Sequence, residues 1–383
     1  MKRSTIATGV VLLAVAIALT SVAVRSCANR RSSGLAPLAE GSRHAADGEA
    51  VSRLHSIPLY RAWIRPEALR SGTLDAGGTL RVEVDLRAVV RPHLAALGLA
   101  DASDLLPRTA RGTIARESES WSFEGPAPLL DLLDRNPAGS IATIALDAIP
   151  GAPSALVRVC LIPARLADPS LGGAAFASWR DRAHLAEKLL GRPLRAEIAE
   201  DLAGPAVFAL YDTDGTADAE ALIAVELRRS DRLAGLLEMA FGLGALTERA
   251  TVVRYRGVPT GSFRSETGGP GLALAVDGPI LLAATSRARL EAAIDARRAA
   301  PHPPRIMDDP AASWSAVSKS AFVAHGWARL AHAADETPGT RSAWLRPEGE
   351  NGWRLTGHGP VPVIGADPIV PFVRSVVGRR QRD

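Results

Sequence analysis

The sequence predicts an α+β fold in which antiparallel sheets carry helices packed on one side. Apolar runs of strand length recur along the chain, and most follow one another through short turns rich in Gly, Asp and Pro. Segments with a single apolar helical stripe are few and lie between groups of strands. This order leaves no room for repeated crossover helices. We therefore expect two lobes, repeated β-α-β-β units and one N-terminal transmembrane helix.

Residues 1–26 have the pattern of a transmembrane anchor or an export signal. Lys2 and Arg3 precede Ile6 to Val24, a stretch without charged side chains. Its length is close to the ~20 residues that cross the hydrocarbon core, so an uncleaved anchor is favoured. Lipidation at Cys27 is disfavoured because Arg25 occupies a position that needs a small or apolar residue. We expect a single-pass protein of the inner (cytoplasmic) membrane, with its body in the periplasm or outside the cell.

The remainder of the chain divides into a stalk and three folded parts. Residues 27–56 are rich in Ser, Gly, Ala and Arg and predict a flexible stalk. We assign residues 57–170 to an N-terminal α+β lobe, 171–298 to a central α+β lobe, and 305–383 to a C-terminal β-α-β-β unit and tail. The last boundary follows from the prolines between residues 299 and 304.

In the N-terminal lobe, apolar and charged residues alternate from Leu80 to Leu86, which predicts a half-exposed strand. A short helix is expected to begin at Pro92 and to carry Leu94 and Leu97 on its apolar face. Gly112 to Phe123 follows as a polar hairpin. Two further apolar strands are predicted over residues 141–146 and 155–162, around a Pro-Gly turn.

The central lobe begins with helices and continues with a hairpin. Helices are predicted over residues 176–190 and 194–202 from their apolar periodicity. Apolar strands over residues 206–211 and 221–227 are joined by the turn residues that begin at Asp212. A helix capped by Ser230 is then expected to end at Gly242 and Gly244.

The rest of the central lobe predicts another strand, one more hairpin and a closing helix. Thr251 to Tyr255 alternates as a strand and is followed at once by Gly257, which can accept a positive φ. An Asp277-Gly278 turn joins strands over residues 272–276 and 280–285. Ser286 caps a helix whose apolar face carries Leu290, Ala293 and Ile294.

The same part of the chain resembles a known family. The motifs that carry the resemblance are Tyr255-Arg256-Gly257-Val258 after an apolar helix, Leu274 to Gly278, Leu282 to Thr285, and Leu290 to Asp295. Together they resemble a family of membrane-anchored bacterial extracytoplasmic proteins catalogued as a domain of unknown function, mainly over residues 205–296. The resemblance implies an envelope location and an α+β body, and it carries over no catalytic residue.

Trp121 and Trp353 are the candidate ligand-binding residues. Each lies in a short motif at the end of a predicted hairpin, and the two motifs align as an internal repeat: Trp121-Ser-Phe-Glu-Gly and Trp353-Arg-Leu-Thr-Gly. The two rings can line a groove for a glycan or lipid chain, or each can close its hairpin against a helix. We favour the packing role.

The sequence predicts no catalytic residue, no metal site and no cofactor. It contains neither Gly-x-Ser-x-Gly nor His-Glu-x-x-His, and its histidines are scattered. The acidic residues between Asp212 and Glu220 do not have EF-hand spacing and suit a solvated turn. Cys160 lies in an apolar strand and is interpreted as a small buried residue.

Charge excludes one class of partner. Basic residues in excess of acidic ones lie mainly before residue 44, so the body is almost neutral although the whole chain carries +4. A nucleic-acid partner is therefore not expected. The leading hypothesis is a non-enzymatic membrane-anchored envelope protein that binds another envelope component, such as a protein, lipid or glycan, or an apolar ligand. The alternative is an envelope enzyme of unfamiliar type with active-site residues dispersed over separate loops.

Overall fold

The computed structural model of the chain describes residues 68–76, 79–89, 91, 103–104, 106–115, 118–124, 130–135, 143–151, 153, 155–168, 184, 187–188, 191–211, 220–246, 250–263, 272–299, 324–330, 339–349 and 352–358. No helix among these residues is long and apolar enough to cross a membrane. The predicted anchor Ile6 to Val24, the stalk, the turn after Tyr211 and the C-terminal tail lie outside them, as does the helix predicted at Pro92.

Within the described ranges, fourteen strands form one sheet, and every pairing among them is antiparallel. The predicted α+β class with antiparallel strands is confirmed. The strands are β1 Leu69–Leu74, β2 Leu80–Asp85, β3 Thr109–Ile114, β4 Ser118–Glu124, β5 Ala155–Cys160, β6 Leu202–Tyr211, β7 Glu220–Leu227, β8 Ala250–Tyr255, β9 Val258–Phe263, β10 Leu272–Asp277, β11 Ile280–Ala284, β12 Ala324–Leu330, β13 Gly339–Glu348 and β14 Gly352–His358.

The helices that the structure describes with both ends are short apart from two. They are α1 Thr143–Leu146, α2 Pro163–Leu166, α3 Leu194–Asp201, α4 Asp231–Leu246 and α5 Arg287–Arg298. The predicted cap of α5 is confirmed, because the Ser286 hydroxyl accepts a hydrogen bond from the amide of Arg289 at 3.0 Å. The prediction that Gly242 and Gly244 end α4 is wrong, since the helix continues to Leu246.

Strand order does not follow the chain. The order across the sheet is β1-β2-β3-β4-β14-β13-β12-β5-β6-β7-β11-β10-β9-β8. The C-terminal strands β12, β13 and β14 therefore lie between β4 and β5, and β5 also pairs with β6. Strands from all three predicted folded parts thus share one sheet, with backbone hydrogen bonds running across the sequence boundaries.

Helices cover both faces of the central strands, so the prediction of helices on one side only is wrong. The side chains of α1 and α5 pack with Val207, Ala209 and Leu222 on one face. On the opposite face, Leu233 of α4 belongs to the apolar cluster that contains Phe208. The reason is visible in β6 and β7, which are buried almost without alternation and therefore need cover on both sides.

The strand predicted over residues 141–146 is also corrected. Residues 143–146 form the helix α1, in which the Glu226 carboxylate accepts hydrogen bonds from the amides of Ile144 and Ala145 at 2.9 and 3.1 Å. Ala145 and Leu146 then pack onto the face of the sheet. A short apolar run fits either structure, and here a distant carboxylate satisfies the helical amides.

Candidate functional site

The two predicted binding residues lie inside the core. Trp121 in β4 is 2% exposed and Trp353 in β14 is 1% exposed. A methyl group built on Gly112, the partner of Trp121 across β3 and β4, would come within 2.6 Å of the Trp121 ring. The Arg135 guanidinium lies 4.7 Å from the centre of the Trp353 ring. The positions fit the packing role, and ligand binding by these residues stays a prediction.

Cys160 has the surroundings expected of an unreactive thiol. Burial raises the pKa of Cys160 to about 11, and the nearby carboxylates of Asp134 and Glu226 act in the same direction. A thiol with this pKa remains protonated at neutral pH and is a poor nucleophile or metal ligand. Within the described residues, no group of three His, Cys, Asp or Glu side chains is placed to hold a metal ion.

Several carboxylates with little exposure are bound by arginines instead of facing an open site. Arg289 donates from Nε and Nη2 to Glu220 at 2.8 and 2.5 Å, and the same carboxylate accepts a hydrogen bond from the Ser286 hydroxyl. Asp85 accepts from Arg70 at 2.7 Å. Such pairs occupy the oxygens that general acid-base chemistry would need to keep free.

Three of the four motifs that carry the family resemblance meet at one end of the strands β8 to β11. The Tyr255 hydroxyl donates to Asp295 at 2.9 Å, and Arg256 contacts the same carboxylate at 2.6 Å. At the hairpin turn between β10 and β11, Asp277 contacts Arg297 at 2.7 Å and Arg298 at 3.2 Å. The last turn of α5 therefore holds two hairpin turns in place. We call these six residues the turn clamp.

A separate polar cleft lies where α3 ends and α4 begins. It has a volume of about 530 Å³ and is lined by Glu200, Arg228, Arg229, Ser230, Asp231 and Arg232. Arg232 is held by Asp201, whose side chain is fully buried and accepts two hydrogen bonds from Arg232 at 2.8 and 3.1 Å. The amide of Arg228 donates to the Asp201 carbonyl at 2.7 Å, which joins β7 to the end of α3.

The other two arginines of the cleft are free to bind. Arg228 and Arg229 are exposed, and within the described ranges neither side chain has a carboxylate partner. They lie just before Ser230 and α4, whose first amides have no partner inside the helix and give this end a partial positive charge, which Asp231 of the first turn partly offsets. The arrangement can hold a phosphate, sulfate or carboxylate group.

Sequence reasoning identified the start of α4 at Ser230 but did not find this cleft. The available signal was the pair Arg228 and Arg229 immediately before the helix. The missing part was the end of α3, which reaches the cleft only because β6 and β7 pair.

Comparison with known proteins adds no assignment: no family model, no curated protein and no solved structure matches this chain. The family resemblance therefore stays a prediction.

Proposed function

We propose that this chain is a non-enzymatic, membrane-anchored envelope protein whose body binds another envelope component through the cleft in front of α4. The observation that carries the proposal is the pair of exposed arginines, Arg228 and Arg229, beside the helix start. Arg232 is already bound to Asp201 and Glu200, so it shapes the cleft instead of binding a partner. The fitting partner is a protein, lipid or glycan that presents an anionic group.

An apolar ligand at the two tryptophans has less support. Trp121 and Trp353 are buried among core side chains, so a ligand would have to open the joint between β4 and β14 to reach them. The enzyme alternative would need a convergent nucleophile, acid or base. The little-exposed carboxylates of Asp201, Glu220 and Asp277 pair with arginines, and Cys160 carries a raised pKa.

The finer architecture belongs to the same proposal. We place Ile6 to Val24 across the inner membrane, followed by two lobes that contain repeated β-α-β-β units. The two aligned motifs lie side by side in the sheet, where Trp121 pairs with Leu355 and Phe123 pairs with Trp353. The repeat itself rests on the alignment of the two sequences.

The location is tested on the intact protein. We expect the full chain to fractionate with membranes, and protease added outside the cytoplasmic membrane to cut residues that follow Arg43. A shortened, soluble periplasmic form as the main species would contradict the anchor. Protection of the body until the cells are lysed would contradict the orientation.

The cleft is tested by photo-crosslinking in cells. A photoreactive amino acid in place of Arg229 should give an adduct with an envelope component, and Arg228→Ala in the same chain should reduce its yield. The matched control replaces Arg81, which is exposed on β2. Equal labelling at positions 229 and 81, or an adduct indifferent to Arg228, would refute binding at the cleft. An adduct that the protein converts chemically would favour the enzyme alternative.

A further inference from the structure

The two outermost strands of the sheet differ in how they are protected against pairing. In β1 the register shifts between Leu69 and Ser71, and such an irregularity disrupts the edge. In β8 six successive residues pair with β9 without a shift. Its middle residues, Thr251, Val252 and Val253, are β-branched, and the strand contains no proline. A regular edge of this composition is a template for another strand.

The free hydrogen-bonding groups of β8 belong to alternate residues. Arg256 and Gly257 form the two-residue turn between β8 and β9, and both have positive φ. The residues that flank such a turn form a hydrogen-bonded pair, so Tyr255, Val253 and Thr251 direct their backbone groups toward β9. The backbone groups of Ala250, Val252 and Arg254 then point away from it. Among the described strands, none pairs with β8 on that side.

The helix beside this edge also exposes apolar surface. Phe241 of α4 lies against Gly261, which pairs with Val252, so α4 covers the face on which Val252 lies. Val252 is 42% exposed and Met239 of α4 is 40% exposed. With Met239, one stripe of the helix carries exposed small residues: Gly235, Gly242 and Ala245. Small residues allow the close approach of a second helix.

We infer that β8 pairs with β8 of a second copy of this chain, around a twofold axis through Val252. This register places Val252 opposite its own copy and Ala250 opposite Arg254, so every outward backbone group of these three residues finds a partner. The axis is perpendicular to the sheet, so both copies of α4 lie on the same face and their exposed stripes meet. The inference goes beyond the proposed function, because it uses neither the cleft nor its arginines.

Charges at the edge are compatible with this pairing. Arg254 faces Ala250 of the second copy, so no two like charges lie directly opposite. Glu238 of α4 lies 3.8 Å from Arg254 and offsets its charge at the rim of the contact. The strand is ~20 Å long and the helix ~24 Å, which places the contact at the small end of protein interfaces. We expect a weak dimer, with a dissociation constant on the order of micromolar.

The first experiment measures self-association of the full chain in detergent by analytical ultracentrifugation. Val252→Lys places two ammonium groups across the axis, and we expect the dissociation constant to rise at least about tenfold. Ile144→Lys is the matched control, because Ile144 is also 42% exposed but lies in α1. A parent protein that stays monomeric at tens of micromolar, or a dimer that tolerates Val252→Lys, would overturn the inference.

The second experiment identifies the register and the occupant by crosslinking. Val252→Cys should give a disulfide-linked dimer under mild oxidation, because residues opposite each other in a hydrogen-bonded pair have Cα atoms about 5.5 Å apart, within the range that a disulfide spans. Arg254→Cys should not, since its two copies lie about 13 Å apart along the strands. The parent chain, with Cys27 and Cys160, gives the background. A link to Cys27 within one chain would identify the chain's own N-terminal segment as the occupant, and a link to a different protein would identify that partner. Either result would refute self-pairing.

Discussion

The joint between β4 and β14 and the turn clamp at the end of α5 hold the same sheet by different means. At the joint, Trp121 and Trp353 are almost fully buried and pack with Leu355 in the large apolar cluster. At the turn clamp, Arg256 and Asp295 remain partly exposed, and the contacts are directed hydrogen bonds and ion pairs. Burial of apolar area therefore stabilises the middle of the sheet, whereas the clamp mainly orients its turns.

The largest effect is expected from opening the joint. Trp121→Ala or Trp353→Ala should lower the free energy of unfolding by roughly 3 to 5 kcal/mol, because each removes a fully buried ring and leaves a cavity. Urea unfolding followed by circular dichroism measures the loss. Ile144→Ala, at an exposed position, serves as the control. Variants that unfold like the parent would show that the rings are not core residues and would restore the binding groove.

The fit between a glycine and a ring at the joint gives a second, smaller effect. Gly112→Ala places a methyl group 2.6 Å from the Trp121 ring, so the ring or the strand must shift, at a cost of about 1 to 3 kcal/mol. In a Trp121→Ala background the same change should be nearly neutral. Additive losses in this double-mutant cycle would mean that the two residues are not in contact.

At the turn clamp, the backbone itself is the next target. Gly257 has a φ of +82° and a methyl group there meets no other atom within 4 Å, so any cost is conformational. Gly257→Val should cost about 1 to 2 kcal/mol, because a β-branched residue disfavours positive φ. Gly257→Asn should cost less, since Asn tolerates this region. Thermal melts of the two variants measure these losses. A Val variant as stable as the parent would show that the turn does not need a positive φ at position 257.

Removing a single hydrogen bond from the clamp should be milder. Tyr255→Phe deletes the bond to Asp295, for which we expect a loss of about 1 kcal/mol while the ring packing is retained. Asp295→Asn leaves the phenol in place and tests the charge of Asp295 separately. A folded Tyr255→Phe protein that loses a cellular activity would point instead to a chemical role for the hydroxyl.

The smallest expected effect is a pH dependence at Asp85, on the joint side of the sheet. Burial alone would raise the pKa of Asp85, but hydrogen bonds from Arg70, the Ala88 amide and Arg108 outweigh it and lower the pKa below the ordinary 3.8. The stability from this group is therefore present above about pH 4 and lost as pH falls through the lowered pKa. In the Asp85→Asn variant, the free energy of unfolding should therefore change less with pH in that acid range. A variant with the same pH dependence as the parent would contradict the assignment.

Much of the local structure followed from the sequence alone. The hairpin of β10 and β11 and the cap of α5 at Ser286 depend on residues close in the chain, so turn and capping chemistry predicted them. The turn of that hairpin is formed by Gly278 and Pro279 and not by the predicted Asp277-Gly278. The alternation of β2 also identified its buried face. The positive φ expected at Gly257 is present, because a two-residue turn with that geometry needs it.

The tertiary structure decided what depends on distant partners. Amides at the start of α1 donate to Glu226 of β7, and this distant partner stabilises a helix where the sequence predicts a strand. Three further features depend on strand order. They are the packing of helices on both faces of β6, the position of β14 beside β4, and the contact between α3 and the arginines before α4. A periodic pattern specifies which side of a strand is apolar, but many strand orders bury the same side chains. Only the complete set of antiparallel pairings selects one of them.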